Sequence, residues 1–233
     1  MIGDIEEVSA YLVSLIYQQT CHGKSIATIV ARPCKDNNWR MCRPLLSDST
    51  SNGFCCTLQI KDKTFETSIP EAEILERVKL VADRINKDFE GKTPLFLAVL
   101  NGSFMYASDL MKHITIPCEI SFVKLASYQG VTSTGTIKEI IGLNEDIRGR
   151  EVIIVEDIVD TGATMKRMLE TLGTREPAGL HITTLLLKPG KLTVPLNIEY
   201  AAMEIPNDFI VGYGLDYDQQ GRNLRDIYTL VQE

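Results

Sequence analysis

Basic clusters are what this chain most conspicuously lacks. It carries 24 Lys and Arg against 31 Asp and Glu, a net charge of −7 and a pI near 5.1, with no run of bases anywhere. That balance argues against nucleic acid or an anionic membrane as the main partner. It leaves an anionic substrate open, because a few local donors or a bound metal can overcome the net field. No apolar stretch approaches the ~20 residues of a membrane span. Residues 1–19 carry acids where a secretory signal needs bases, and no small-residue cleavage site follows. The expectation is a cytoplasmic protein. Cysteine is nearly absent past residue 56: Cys21, Cys34, Cys42, Cys55 and Cys56 come first and only Cys118 follows. No C-x-x-C pair occurs, and Cys21-His22 has no partner pair at zinc-finger spacing. Free thiols in a reducing compartment are therefore expected. A Walker-type phosphate loop is missing too. The GKS at 23–25 would need a Gly five residues ahead of Gly23, where Gln18 stands.

Two parts of the chain differ in character. Residues 1–56 hold the only tryptophan, Trp39, a polar SDSTSNG stretch, and one plausible helix at Ile5–Gln18. From Thr57 the pattern becomes regular. LQIKDKTFETSI predicts a hairpin turning at Lys61-Asp62-Lys63. Pro70 opens a helix to Phe89, with Ile74, Val78, Val81 and Ile85 on one face and acids in the first turn. Strands are predicted at 95–100, 119–127, 136–141, 152–155, 181–188, 198–203, 209–215 and 227–231, with helices at 104–113 and 163–174. SYQGVTSTGT at 127–136 has no period and reads as a mobile loop. Continuous apolar runs such as LFLAVL, alternating with helices, predict an α/β fold whose parallel sheet is covered on both faces.

VIIVEDIVDTGATM, from Val152 to Met165, carries the chemistry. Glu156, Asp157 and Asp160 are expected just past the carboxyl end of a buried strand, where open parallel sheets bind ligands. Thr161, Gly162, Ala163 and Thr164 then lead into a helix. Such a turn exposes backbone N–H groups and the positive end of the helix dipole, and glycine permits close approach. One segment thus offers an anion cradle beside carboxylate acceptors, which suits a phosphorylated sugar. The plainer alternative is that Asp160 or Thr161 merely caps the helix while the acids are solvated.

This run closely resembles the phosphoribosyl-diphosphate signature of type I phosphoribosyltransferases. Within that superfamily the chain resembles the hypoxanthine (hypoxanthine-guanine) phosphoribosyltransferases over about residues 57–233. Four further segments carry the likeness: VLNGSF (99–104), SYQGVTSTGTIK (127–138), LLLKP (185–189) and EIPNDFIVGYGLDYDQQGRNLRDI (204–227). The resemblance implies a central, mostly parallel sheet flanked by helices, with a small hood subdomain. It also implies transfer of a phosphoribosyl group from phosphoribosyl diphosphate to a 6-oxopurine, making IMP (and GMP) in purine salvage. By that resemblance Asp160–Thr164 hold the 5′-phosphate. Glu156 and Asp157 accept the ribose hydroxyls and favour positive charge on the ring. Asp160 is the general base at purine N7. Lys188 donates to the 6-oxo group, Phe209 stacks on the base, and Ile210 contributes backbone groups. Asn101 and Gly102 form the pyrophosphate loop, joined by Arg222. Glu156, Asp157 and Asp216 hold Mg²⁺, directly or through water. Ser127 and Tyr128 open a lid that keeps water from the ring cation. A homodimer or homotetramer is implied as well.

Two positions depart from some family members. Asn101 and Ala163 stand where those have Lys: Asn101 removes one possible cation while backbone donors remain, and Ala163 is expected to affect affinity more than chemistry. Ser103, beside the pyrophosphate loop, could donate to the leaving group or cap the following helix. Residues 1–56 match nothing in the family and are expected to be a poorly ordered extension ahead of a domain at 57–233. Three rivals compete with the leading reading. One is a relative preferring guanine or xanthine. A second is a phosphoribosyltransferase-fold regulator of RNA or DNA, which the acidic charge and the Asp160–Lys188 pair disfavour. The third is a receiver-like domain, which has no use for residues 204–227.

Overall fold

The computed structural model describes residues 57–127 and 137–231, without the side chains of 126, 127 and 137–141. The helix expected at Ile5–Gln18, the early cysteines, the extension and the lid residue Tyr128 lie outside the described residues. In chain order the elements are β1 (Thr57–Ile60), β2 (Lys63–Ile69), α1 (Glu71–Asp88), β3 (Leu95–Leu100), α2 (Phe104–Met111), β4 (Glu119–Ser127) and β5 (Ile137–Ile141). There follow β6 (Glu151–Val159), α3 (Ala163–Gly173), β7 (Gly179–Leu187), β8 (Tyr200–Glu204), β9 (Ile210–Val211) and β10 (Ile227–Leu230).

Apolar runs dictate the centre. β3 and β6 are so uniformly apolar that each must be covered on both faces. They sit in a six-stranded sheet ordered β5-β4-β3-β6-β7-β8. The five strands from β4 to β8 are parallel, and β5 joins the β4 edge antiparallel. Alternation along β3 sends Phe96 and Ala98 to one face, against Ile74, Val78 and Ile85 of α1 and Tyr106 and Leu110 of α2. Leu95, Leu97 and Val99 go to the other, against Met165, Met168 and Leu172 of α3. Each fully buried Val, Leu or Ile contributes ~1.5–3 kcal/mol relative to exposure. α1 keeps its predicted place. Pro70 stands at its N-cap with extended backbone, Glu71 and Glu73 sit in its first turn, and Lys87 in its last, all favourable to the helix dipole.

The hairpin predicted at 57–69 forms, but not in the main sheet. β1 and β2 join β10 and β9 in a separate antiparallel sheet, order β1-β2-β10-β9, around Phe65, Ile60 and Val211. This is the hood. Cys118 is a partly buried free thiol. Among the described residues no helix is long and apolar enough to cross a membrane.

Two expectations are corrected. The strand expected to end at Val155 runs on to Val159, so Glu156 and Asp157 lie inside it. The neighbouring β7 makes the difference, continuing the ladder through Glu156↔Thr184 to Val159↔Leu187. FIVGYGL is not one strand. Only Ile210–Val211 is extended, after which Gly212, Tyr213 and Gly214 take left-handed φ values of 103°, 47° and 100°. No strand accommodates that backbone.

Candidate active site

The site opens where two ladders on β6 end at different places. Pairing with β3 stops at Ala98↔Val155, while pairing with β7 continues four residues further, to Val159↔Leu187. Beyond Val155 the β3 side is covered not by a strand but by the turn after β3. There the Leu100–Asn101 peptide is cis, and Gly102 lies against Asp157. A Cβ on Gly102 would fall 1.5 Å from Asp157 Oδ2, so only glycine lets this backbone meet the carboxylate. Asp157 is buried, 8% exposed, and its Oδ1 accepts the Ile158 N–H at 2.9 Å. Burial and the hydrogen-bonded, like-charged Asp157 push the Glu156 carboxyl well above its ordinary range.

On the far side of the same strand end, Gly162 stands at the N-cap of α3 with φ 77°. A Cβ there would meet Leu196 Cδ1 at 2.6 Å, so a larger residue is strained by both conformation and space. No side chain caps α3 at this position. Thr161 Oγ1 reaches only the Ala163 N–H, at 3.4 Å. Asp160 does not cap either, because its Oδ2 accepts from Lys191 Nζ at 3.1 Å. Of the two capping candidates, Asp160 holds no helix N–H and Thr161 holds one over a long contact. Ala163 and Thr164 open the helix itself. A cleft of about 300 Å³ lies between these parts. Glu156, Asp157, Asp160, Thr161, Gly162 and Thr164 line it, with Leu100, Leu125 and Met165 among its apolar walls.

The remaining expected residues are not part of the lining of this cleft. Lys188 follows β7, is buried at 5% exposure, and donates from Nζ to the Asp208 carbonyl at 2.7 Å. Burial lowers its pKa, opposed by the charges of Asp160 and Asp208. The Phe209 ring is 45% exposed and sits 5.8 Å, centroid to centroid, from Tyr217 and 6.2 Å from Phe65. Ile210 is buried in β9. Arg222 is ion-paired to Asp216 and donates to the Gly214 carbonyl at 2.7 Å. Asp216 Oδ2 also accepts the Gln219 N–H at 2.8 Å. Ser103 is fully buried and donates back to the Val99 carbonyl at 2.6 Å, which leaves that proton turned away from any leaving group. Ser127 ends β4, and its side chain is not described. Lys191 escaped the sequence reading. Its only signal was a second Lys three residues after Lys188, in a Pro-Gly turn that resembles any surface loop.

Among the described residues no three acids, histidines or cysteines form a ready metal cage. Mg²⁺ does not need one, since it keeps several waters and takes one or two carboxylates beside phosphate oxygens. Glu156 and Asp157, side by side in the cleft wall, concentrate negative charge that a cation can neutralise. The donor set therefore fits.

Acids inside a strand, a glycine turn laid on one of them and an uncapped helix start across a single cleft define a class of sugar-phosphate-handling sites. The family described as phosphoribosyl transferase domain matches residues 70–218, and this chain belongs to it. The fold is that of the type I phosphoribosyltransferases. Within the family the chain groups with the hypoxanthine and hypoxanthine-guanine phosphoribosyltransferases. The hypoxanthine phosphoribosyltransferase of Salmonella typhimurium is 42% identical over 171 residues, 72% of this chain and 96% of that one. The hypoxanthine-guanine enzyme of Lactococcus lactis is 41% identical over 174 residues, 74% of this chain and 94% of that one. A Bacillus anthracis hypoxanthine-guanine phosphoribosyltransferase crystal structure matches with a TM-score of 0.65 and 39% identity, over 71% of this chain and 96% of that chain.

Proposed function

We propose that this protein is a cytoplasmic, homo-oligomeric (dimeric or tetrameric) enzyme of purine salvage. It joins hypoxanthine, and guanine, to the anomeric carbon of phosphoribosyl diphosphate, giving IMP or GMP and pyrophosphate. The observation that carries this reading is the cleft at the end of β6, with the Glu156–Asp157 pair and the start of α3 both in its wall.

The sugar spans that cleft. Its 5′-phosphate takes N–H groups and hydroxyls of Asp160–Thr164, at a helix start where Gly162 provides no side-chain cap. Its two ribose hydroxyls donate to Glu156 and Asp157. The negative charge of this carboxylate pair stabilises the oxocarbenium-like ring as the C1–O bond breaks. The leaving pyrophosphate meets the Asn101–Gly102 backbone and Arg222. Mg²⁺, held by Glu156, Asp157 and Asp216, would supply counter-charge to the diphosphate.

The base lies towards Phe209 and Lys188. Lys188 gives a 6-oxo group a donor, whereas a 6-amino group would set donor against donor, so adenine is rejected by an unpaired buried polar contact. Asp160 Oδ1, buried and without a partner, receives the N7 proton as N9 attacks C1.

Purified protein, phosphoribosyl diphosphate, Mg²⁺ and each purine in turn make the test. Hypoxanthine should be consumed one-for-one with pyrophosphate release. Absence of IMP formation, or equal use of adenine, would overturn the proposal. Light scattering of the same sample decides the assembly, and a monomer would remove that part.

A further inference from the structure

We propose that the hydrogen bond from Tyr213 to Asp109 is a latch that places the pyrophosphate groups, making both of them positioning residues. This inference rests on the reading above.

Two loops must meet for the leaving group to be held. One is Asn101–Gly102, immediately ahead of α2. The other is the turn from Gly212 to Arg222. They touch where Gly214 lies so close to Gly102 that a Cβ on Gly214 would stand 2.0 Å from the Gly102 carbonyl oxygen. Nothing in either loop alone sets that register, and the contact itself is only backbone on backbone.

Tyr213 supplies the missing fastening. It takes a left-handed backbone, φ 47°, which is costly for a residue with a bulky side chain and persists only where surroundings hold it. Its side chain is 1% exposed, and its hydroxyl donates to Asp109 Oδ2 at 2.5 Å. Asp109 stands on α2, the helix whose first turn follows Gly102. One turn earlier on that helix Tyr106, fully buried, bonds Thr183 of β7 at 2.5 Å, so α2 is itself anchored to the main sheet. On the other side of the latch the Tyr213 N–H donates to the Leu224 carbonyl at 2.8 Å and the Gly214 N–H to the Arg222 carbonyl at 3.0 Å. Arg222 in turn binds the Gly214 carbonyl and Asp216. The path from anchored helix to leaving-group cation therefore runs α2, Asp109, Tyr213, Gly214, Arg222. The left-handed backbone at 213 turns the ring towards α2 while Gly214 faces Gly102.

Asp109 has a second partner, Lys112, at 2.5 Å on the surface side. That gives a control, because Lys112→Ala removes a contact of Asp109 without touching the latch. In the forward reaction, Tyr213→Phe should raise KM for phosphoribosyl diphosphate about tenfold, as loss of a buried hydrogen bond to a charged group predicts. KM for hypoxanthine should change less than about twofold. Asp109→Ala should match it, the double variant should be no worse than either single change, and Lys112→Ala should behave as wild type. Asp109→Asn, which keeps an acceptor for the hydroxyl, should retain most of the affinity. Phosphoribosyl-diphosphate KM unchanged in Tyr213→Phe, or KM for both substrates rising in parallel with a loss of Tm, would reduce the contact to ordinary packing and overturn the latch. If Tyr213→Phe does not fold, Asp109→Ala against Asp109→Asn decides in the same way. Wild-type protein without transferase activity would instead overturn the functional reading itself.

Discussion

Lys191 Nζ stands 3.1 Å from Asp160 Oδ2, while Asp160 Oδ1 is buried with no hydrogen-bond partner among the described residues. One oxygen is engaged at the surface and the other is held open. A buried acceptor left without a partner costs about 1–3 kcal/mol, a cost that a substrate proton can relieve. Asp160→Asn should therefore lower kcat by roughly 10²–10⁴-fold, the usual reach of general base catalysis. IMP binding, followed by calorimetry, should change only a few-fold. Unaltered turnover would move the base elsewhere. The Lys191 pair is about half exposed, so Lys191→Met should alter unfolding free energy by less than about 1 kcal/mol.

The raised Glu156 carboxyl makes stability depend on pH. Glu156 is raised by burial and by its neighbour's charge. A carboxyl whose folded pKa exceeds its unfolded value of about 4.3 helps the folded state most below that value and loses the help as pH rises through the folded one. In the free protein this contribution should fade from about pH 4.3 upward. Glu156→Gln should flatten the loss and raise stability at neutral pH, while impairing phosphoribosyl-diphosphate binding. Urea unfolding at about pH 5 and pH 7.5 reads the change in stability, and a variant with the wild-type slope would contradict a raised Glu156 carboxyl.

Gly102→Ala should act through Asp157. The new methyl would occupy the place of the carboxylate, which must then rotate out of the cleft. Overpacking of this kind costs about 1–3 kcal/mol. The KM for phosphoribosyl diphosphate should rise far more than the KM for the purine. A variant of wild-type stability and affinity would show that the two groups separate freely.

Lys188→Ala removes a buried ammonium from the Asp208 carbonyl and from the base. A charged hydrogen bond is worth about 1.5–3 kcal/mol, which predicts a loss in kcat/KM for hypoxanthine of about 10- to 150-fold. The preference over adenine should shrink in step. If selectivity survives, the 6-position is read by another group.

What was legible in the sequence is what is local. LFLAVL announces a strand buried on both faces, and the period of Ile74, Val78, Val81 and Ile85 announces the buried face of α1. The cleft was legible for the same reason, because eight of its lining residues fall within Glu156–Thr164. The end of β6 was misjudged because acids are poor strand formers, and only pairing with β7 carries the backbone on to Val159. FIVGYGL misled in the opposite sense, its apolar run hiding a left-handed Tyr213. Contacts such as Gly102 with Asp157, Lys191 with Asp160, and Tyr213 with Asp109 join segments that meet only through the strand order. No local pattern carries them.

The hood has a consequence for how the protein is made. Phe65 of β2 pairs with Leu230 of β10, across the whole main sheet in sequence. All six strands of that sheet are complete at Glu204, so their pairing draws on nothing that follows, whereas the first hairpin pairs onward only with β10, the last strand to be synthesised. A chain cut back to Glu204 should keep the main sheet with its Glu156–Thr164 cleft wall and lose the hood strands β9 and β10.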